Sequence, residues 1–159
     1  MIEILELPEG FTELKEQGVI CDLNEGNAPY RPRYIVPDYD LLLKKGCSFL
    51  KLDPPQDLYE ALNTLLIFYK NVPSVTNFPV FIGSLDELLE PFVKVMDYEA
   101  AKKAIRLFLI NIDRTITDAF CHANIGPYDS ITGRIILELE RELQNAVPNL
   151  TIKYNDELT

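Results

Sequence analysis

The stretch from Asp97 to Tyr154 constrains the fold most: it reads as a long helix, a bend, a second helix and a strand. Ala101, Ala104, Ile105, Phe108, Ile112, Ile116 and Ala119 recur at helical spacing, and Asp97 is a good N-cap acceptor just before them. Leu107, Leu109 and Ile110 widen the apolar arc, so this helix is expected to be covered on most sides. Phe120-Cys121-His122-Ala123-Asn124-Ile125 follows as a strand candidate. Gly126-Pro127-Tyr128-Asp129 then ends regular structure. Asp129 or Ser130 is expected to cap a helix that buries Ile131, Ile135, Leu139 and Leu143, with Glu138, Arg141 and Glu142 outside. Pro148 stops it, and Leu150 to Tyr154 is the next strand. Helices joined by short loops to strands build an α/β layer, and chemistry in such folds gathers where strands meet loops. Here that means Cys121 to Tyr128, and Tyr154.

The preceding residues fit the same class. Phe11 to Glu16 makes one or two helical turns, Gly18 to Leu23 a short strand, and Asn24 to Asn27 a turn. Prolines 29, 32 and 37 exclude helix, so residues 24–37 are expected to lie as an extended arm. Asp38 or Tyr39 opens a short helix closed by Gly46. Ser48 to Leu52 alternates like a strand. Asp53-Pro54-Pro55-Gln56 reads as a helix start, burying Leu58, Ala61, Leu62, Leu65, Leu66 and Tyr69 and stopping before Pro73. Phe78 to Gly83 is an apolar strand, and Ser84-Leu85-Asp86-Glu87 a capping box for a helix that Pro91 shortens or kinks. The whole gives about five helices and about four to six strands in one domain spanning 1–159.

At 159 residues the chain is long enough for a core. Its net charge of -10, from 25 acidic and 15 basic residues, opposes nucleic-acid and anionic-membrane partners. No apolar run spans a bilayer, and Met1 to Glu6 lacks the features of a signal peptide, so a cytoplasmic location is expected. Cys21, Cys47 and Cys121 make no disulfide framework.

Few residues advertise chemistry. His122, the single histidine, sits beside Cys121, but neighbours on a strand face opposite ways. No CxxC or HxxxH spacing is present, so no metal site is expected. A packed cysteine and a hydrogen-bonded histidine are the plainer reading of the pair. Asn124 can orient a ligand from a strand end or simply start a turn. Arg31 and Arg33 can bind an anion or pair on the surface. Tyr154, a strand-end aromatic, can wall a pocket or fill a core. The acidic residues Glu60, Glu87, Glu99, Glu138 and Glu142 fall on expected helix surfaces, and no catalytic carboxylate pair stands out.

Ala28-Pro29, with Ile35-Val36-Pro37-Asp38-Tyr39 and Leu43-Lys44-Lys45-Gly46, resembles a stretch common among glycyl radical enzymes, with Tyr30 to Tyr34 as a longer insert. Arg134, then Pro148-Asn149-Leu150-Thr151-Ile152, resembles the helix-to-strand join of pyruvate formate-lyase relatives. With Leu52-Asp53-Pro54-Pro55 and Asn124 to Asp129, the run from Leu23 to Tyr154 is most similar to the YjjI-type glycine radical enzymes.

The resemblance implies a portion of a pyruvate formate-lyase-like α/β barrel. It implies a protein glycyl radical installed by an activase that uses S-adenosylmethionine and an iron–sulfur cluster. None of Cys21, Cys47 or Cys121 matches the catalytic cysteine, and the radical glycine loop lies beyond the matched strand. The chain is therefore expected to bind no cofactor and to be inactive alone. It would contribute scaffold and a pocket wall for a small-molecule substrate, with Tyr154 lining the pocket and His122 and Asn124 facing the same space. Open sheet edges are expected to drive self-association. The alternative is a free-standing α/β binding or assembly domain without radical chemistry.

Overall fold

The computed structural model describes residues 10–17, 36–76, 80–115 and 121–155. The chain divides into two compact units, 1–32 and 33–159, taken separately below. In the first, α1 (Phe11–Glu16) follows Gly10, whose positive φ of 84° turns the chain into the helix. The strand candidate at 18–23 and residues 24–35 of the expected arm lie outside the described residues.

The second unit opens with α2 (Tyr39–Lys45). Asp38 Oδ1 accepts from Leu41 N at 2.9 Å, and Gly46 (φ 71°) ends the helix, as the sequence predicts. A Cβ at Gly46 would lie 2.2 Å from Leu52 O, so glycine is required there. That close approach corrects the expected strand at Ser48 to Leu52. Cys47 and Leu52 exchange backbone hydrogen bonds of 2.8 and 3.0 Å, which folds the intervening residues into a turn with Lys51 at φ 53° and Phe49 out in solvent. α3 (Leu58–Thr76) starts later than expected. Pro55 confines Pro54 to extended backbone, so Asp53-Pro54 cannot begin a helix. Asp57 takes the cap instead: Glu60 N donates to Asp57 Oδ1 at 2.9 Å, and Glu60 Oε2 reaches back to Gln56 N at 2.8 Å. The helix also continues through Pro73 to Thr76, forgoing the one bond proline cannot donate.

β1 (Val80–Ser84) runs without a loop into α4 (Leu85–Val93), which accommodates Pro91 rather than ending at it. α5 (Tyr98–Thr115) buries Ala101, Ala104, Ile105, Phe108, Leu109 and Ile112 behind its Asp97 cap. Leu107 is 58% exposed, so this helix is covered on one face rather than most; Ile116 and Ala119 lie outside the described residues. After β2 (Cys121–Ile125), Ser130 Oγ accepts from Gly133 N and opens α6 (Ile131–Leu143), burying Ile135, Ile136 and Leu139. Ile131 is exposed. Gln144 in left-handed conformation ends the helix before Pro148 is reached, and β3 (Asn149–Ile152) follows.

The architecture is mixed α/β: one parallel three-stranded sheet, order β1-β2-β3, with α3 to α6 packed together against one face. Val80, Ile82, Cys121, Ala123 and Ile125 point into that core. Three strands are found among the described residues where about four to six are expected, and they form an open sheet rather than a barrel. No described helix is long and apolar enough to cross a membrane.

Candidate site on the polar sheet face

Side-by-side residues of a parallel pair share a face, and alternation sends their neighbours to the other. His122 aligns with Phe81 and Asn149, and Asn124 with Ser84 and Thr151. The face away from the helices is therefore largely polar, with Phe81 its apolar member. His122 and Asn124 are half-buried there, and Asn149 and Thr151 are exposed. The sequence reading put His122 and Asn124 in one space, and the structure places them on one face.

Ser84 reaches this face through a bulge. β1 advances three residues, Phe81 to Ser84, while β2 advances two, His122 to Asn124. Gly83 absorbs the surplus residue at φ 87°. A Cβ at Gly83 would meet nothing within 4 Å, so the backbone there is open to approach.

Lys153 continues the ladder one step past β3, its N–H donating to Ile125 O at 2.8 Å. Alternation gives it the Thr151 face. Its Nζ crosses the end of β2 to donate to Ser84 Oγ and lies 3.9 Å from Glu87 Oε1. This corrects the capping box expected at Ser84: the hydroxyl makes no cap bond to α4 because Lys153 engages it.

Carboxylates of α4 hold the next loop. Asp86, 1% exposed, accepts from Gly126 N at 3.0 Å and Ser130 Oγ at 3.1 Å through Oδ2. Its Oδ1 has no partner among the described residues. One turn on, Glu90 accepts from Ile131 N, from Thr132 N at 2.9 Å and from Thr132 Oγ1 at 2.6 Å. Burial pushes the Glu90 carboxyl up, but the Thr132 and Ile131 bonds, with Lys94 nearby, outweigh it and hold the group below the usual glutamate range. Two carboxylates thus fix the N-terminus of α6 against α4. Asp129, the other cap candidate, instead pairs with Arg134.

Beside the end of β1, α2 and α4 border a crevice of about 740 Å³ that includes Gly83, Ser84 and Glu87. Its walls are largely apolar: Leu43, Leu88 and Phe92.

The remaining candidates are scattered. Tyr154 lies two residues past β3 and is 72% exposed. Cys121 is sealed in the core; burial pushes its thiol up to about 12, with a Tyr69 hydrogen bond pulling the other way. Burial likewise raises the Tyr69 and Tyr39 hydroxyls, with Cys121 adding to both. Cys47 is half-buried, and Cys21, Arg31 and Arg33 lie outside the described residues. Sequence reasoning missed Lys153, Ser84, Thr151 and Asp86. Thr151 and Lys153 carry a readable signal, since they alternate with Leu150 and Ile152. Ser84 and Asp86 do not, because a bulge and a partner forty residues away decide their roles.

The family profile described as "Glycyl radical enzyme YjjI-like" matches residues 1–159. An uncharacterised protein of Haemophilus influenzae is 55% identical over 141 residues, 89% of this chain and 27% of its own length. The uncharacterised protein YjjI of Escherichia coli is 46% identical over 154 residues, 97% of this chain and 30% of its own. The chain thus spans less than a third of the curated relatives it matches. These likenesses agree with the motifs around Asp38 and Pro148, and the chain belongs to the YjjI-like glycyl radical enzyme family.

Proposed function

We propose that this chain is a portion of a glycyl radical enzyme, supplying part of its α/β barrel and one wall of its substrate pocket. The observation that carries this reading is the polar face of β1-β2-β3. Parallel sheets are ordinarily covered on both faces. Here one face is packed under helices, while the other presents His122, Asn124 and Thr151. β3 is also poorly covered, with Ile152 65% exposed. Closing such a sheet into a barrel turns the polar face inward and joins its open edges. The pocket would then meet a small-molecule substrate through hydrogen bonds from His122 and Asn124, with Tyr154 at its rim.

The radical chemistry belongs elsewhere in such an enzyme. Cys121, sealed in the core, has no access to a substrate. The residues present do not fit the radical group. The partners of the whole enzyme would be its substrate and an activase using S-adenosylmethionine and an iron–sulfur cluster, in the cytoplasm.

The test uses the full-length protein, activated anaerobically and followed by electron paramagnetic resonance. His122→Ala, Asn124→Ala and Tyr154→Ala should each retain the radical doublet and lower turnover at least tenfold. Turnover unchanged in all three would remove the pocket-wall role. A doublet from the 159-residue chain alone would overturn the division of labour.

A further inference from the structure

We infer that the crevice beside α4, at the end of the sheet where Ser84 and Glu87 line it and Lys153 reaches both, binds a small zwitterion with an apolar body, of the α-amino acid kind. None of His122, Asn124 or Tyr154 lines this crevice, so the inference goes beyond the pocket-wall reading rather than resting on it.

The head-group site is bipolar. Lys153 offers an ammonium whose bonds among the described residues are one to Ser84 and a loose 3.9 Å pairing with Glu87. Their side chains are 36% and 55% exposed, so both retain capacity for a ligand. A simple anion would be attracted by Lys153 and repelled by Glu87. A simple cation would meet the reverse. A group carrying both charges satisfies both residues. The other carboxylates of the crevice are engaged: Asp38 caps α2, and Asp40 pairs with Lys44 at 2.6 Å. Glu87 is the acceptor left.

The body site is apolar. From Ser84 and Glu87 the crevice continues between Leu43, Leu88 and Phe92. Its volume of about 740 Å³ exceeds what a bipolar head alone requires. A branched aliphatic chain extending from the head would lie against those walls and leave water. The bare backbone at Gly83 lets the head approach the strand end.

The test is a titration of the chain, without radical chemistry, reading backbone amide shifts at Ser84, Glu87 and Lys153. The probes are leucine, 4-methylpentanoate, isoamylamine and free glycine. Leucine should bind at least tenfold more tightly than each of the other three. Lys153→Gln should weaken leucine and 4-methylpentanoate, and Glu87→Gln should remove the advantage of leucine over 4-methylpentanoate. Phe92→Ala should weaken leucine while leaving free glycine unchanged, with circular dichroism confirming that each variant folds. Binding of 4-methylpentanoate or isoamylamine as tight as leucine, or no shift at these amides with any probe, overturns the inference. Neither result touches the turnover test of His122 and Asn124, so the two readings fail separately.

Discussion

Glu90 and Glu140 respond to their surroundings in opposite senses. Glu90 loses ground to burial but gains more from Thr132 and Ile131, so its folded carboxyl sits below the unfolded one. Its stabilisation is complete above the unfolded glutamate range and fades as pH falls through the folded value. Glu90→Gln should therefore cost about 1–3 kcal/mol at neutral pH, from weakened bonds to the α6 terminus, and the cost should shrink in acid. Urea unfolding at both pH values measures it. Glu140 is raised to about 7, first by burial and then by Asp113. Its Oε1 has no partner among the described residues. Here ionisation opposes the fold, so stability is lost as pH rises from the usual glutamate range through about 7. Glu140→Gln should raise the melting temperature at pH 8 and do little in mild acid. Neither sign is legible in the sequence. Both glutamates stand in helices rich in acidic residues, and only the contact across to Thr132 or Asp113 separates them.

At the level of elements, local chemistry was readable and long-range chemistry was not. Asp38, Asp97 and Ser130 start their helices as their side chains dictate, and the spacing from Ala101 to Ile112 gives the buried face of α5. Alternation misled at Ser48 to Leu52, where Gly46 and Leu52 are too close for a strand. It also misled at Ile152, which alternation puts on the Leu150 face, toward the helices. Ile135 and Ile152 are equally apolar, but Ile135 is 0% and Ile152 65% exposed. Ile135→Ala should cost about 2–5 kcal/mol through the cavity it leaves, while Ile152→Ala should stay within about 0.5 kcal/mol. Chemical denaturation of the two variants decides it at concentrations too low for association, where equal losses would mean that Ile152 is covered within the single chain.

For the whole molecule, the consequence of an open sheet is association. β3 pairs on one side only among the described residues and carries Ile152 outward. The chain alone should form dimers or larger species at roughly tens of micromolar, as exposed strand edges do. Ile152→Lys should shift it toward monomer in sedimentation equilibrium, and a wild-type monomer there would count against an exposed edge. The family motifs lead one to expect a barrel, the described strands form an open sheet, and periodicity carries no information on how a sheet closes. The direct join of β1 to α4 has a last consequence, for insertions. β1 passes into α4 with no intervening residue, so strand and helix share a single phase. An extra residue between Ser84 and Leu85 would turn α4 by about 100° relative to the sheet. Asp86 and Glu90, one turn apart, would swing away from Gly126 and Thr132 together. An extra residue beside Phe49, 90% exposed in its turn, has no such coupling. Insertion variants should therefore be soluble and folded when the extra residue falls near Phe49, and degraded in the host cell when it falls between Ser84 and Leu85.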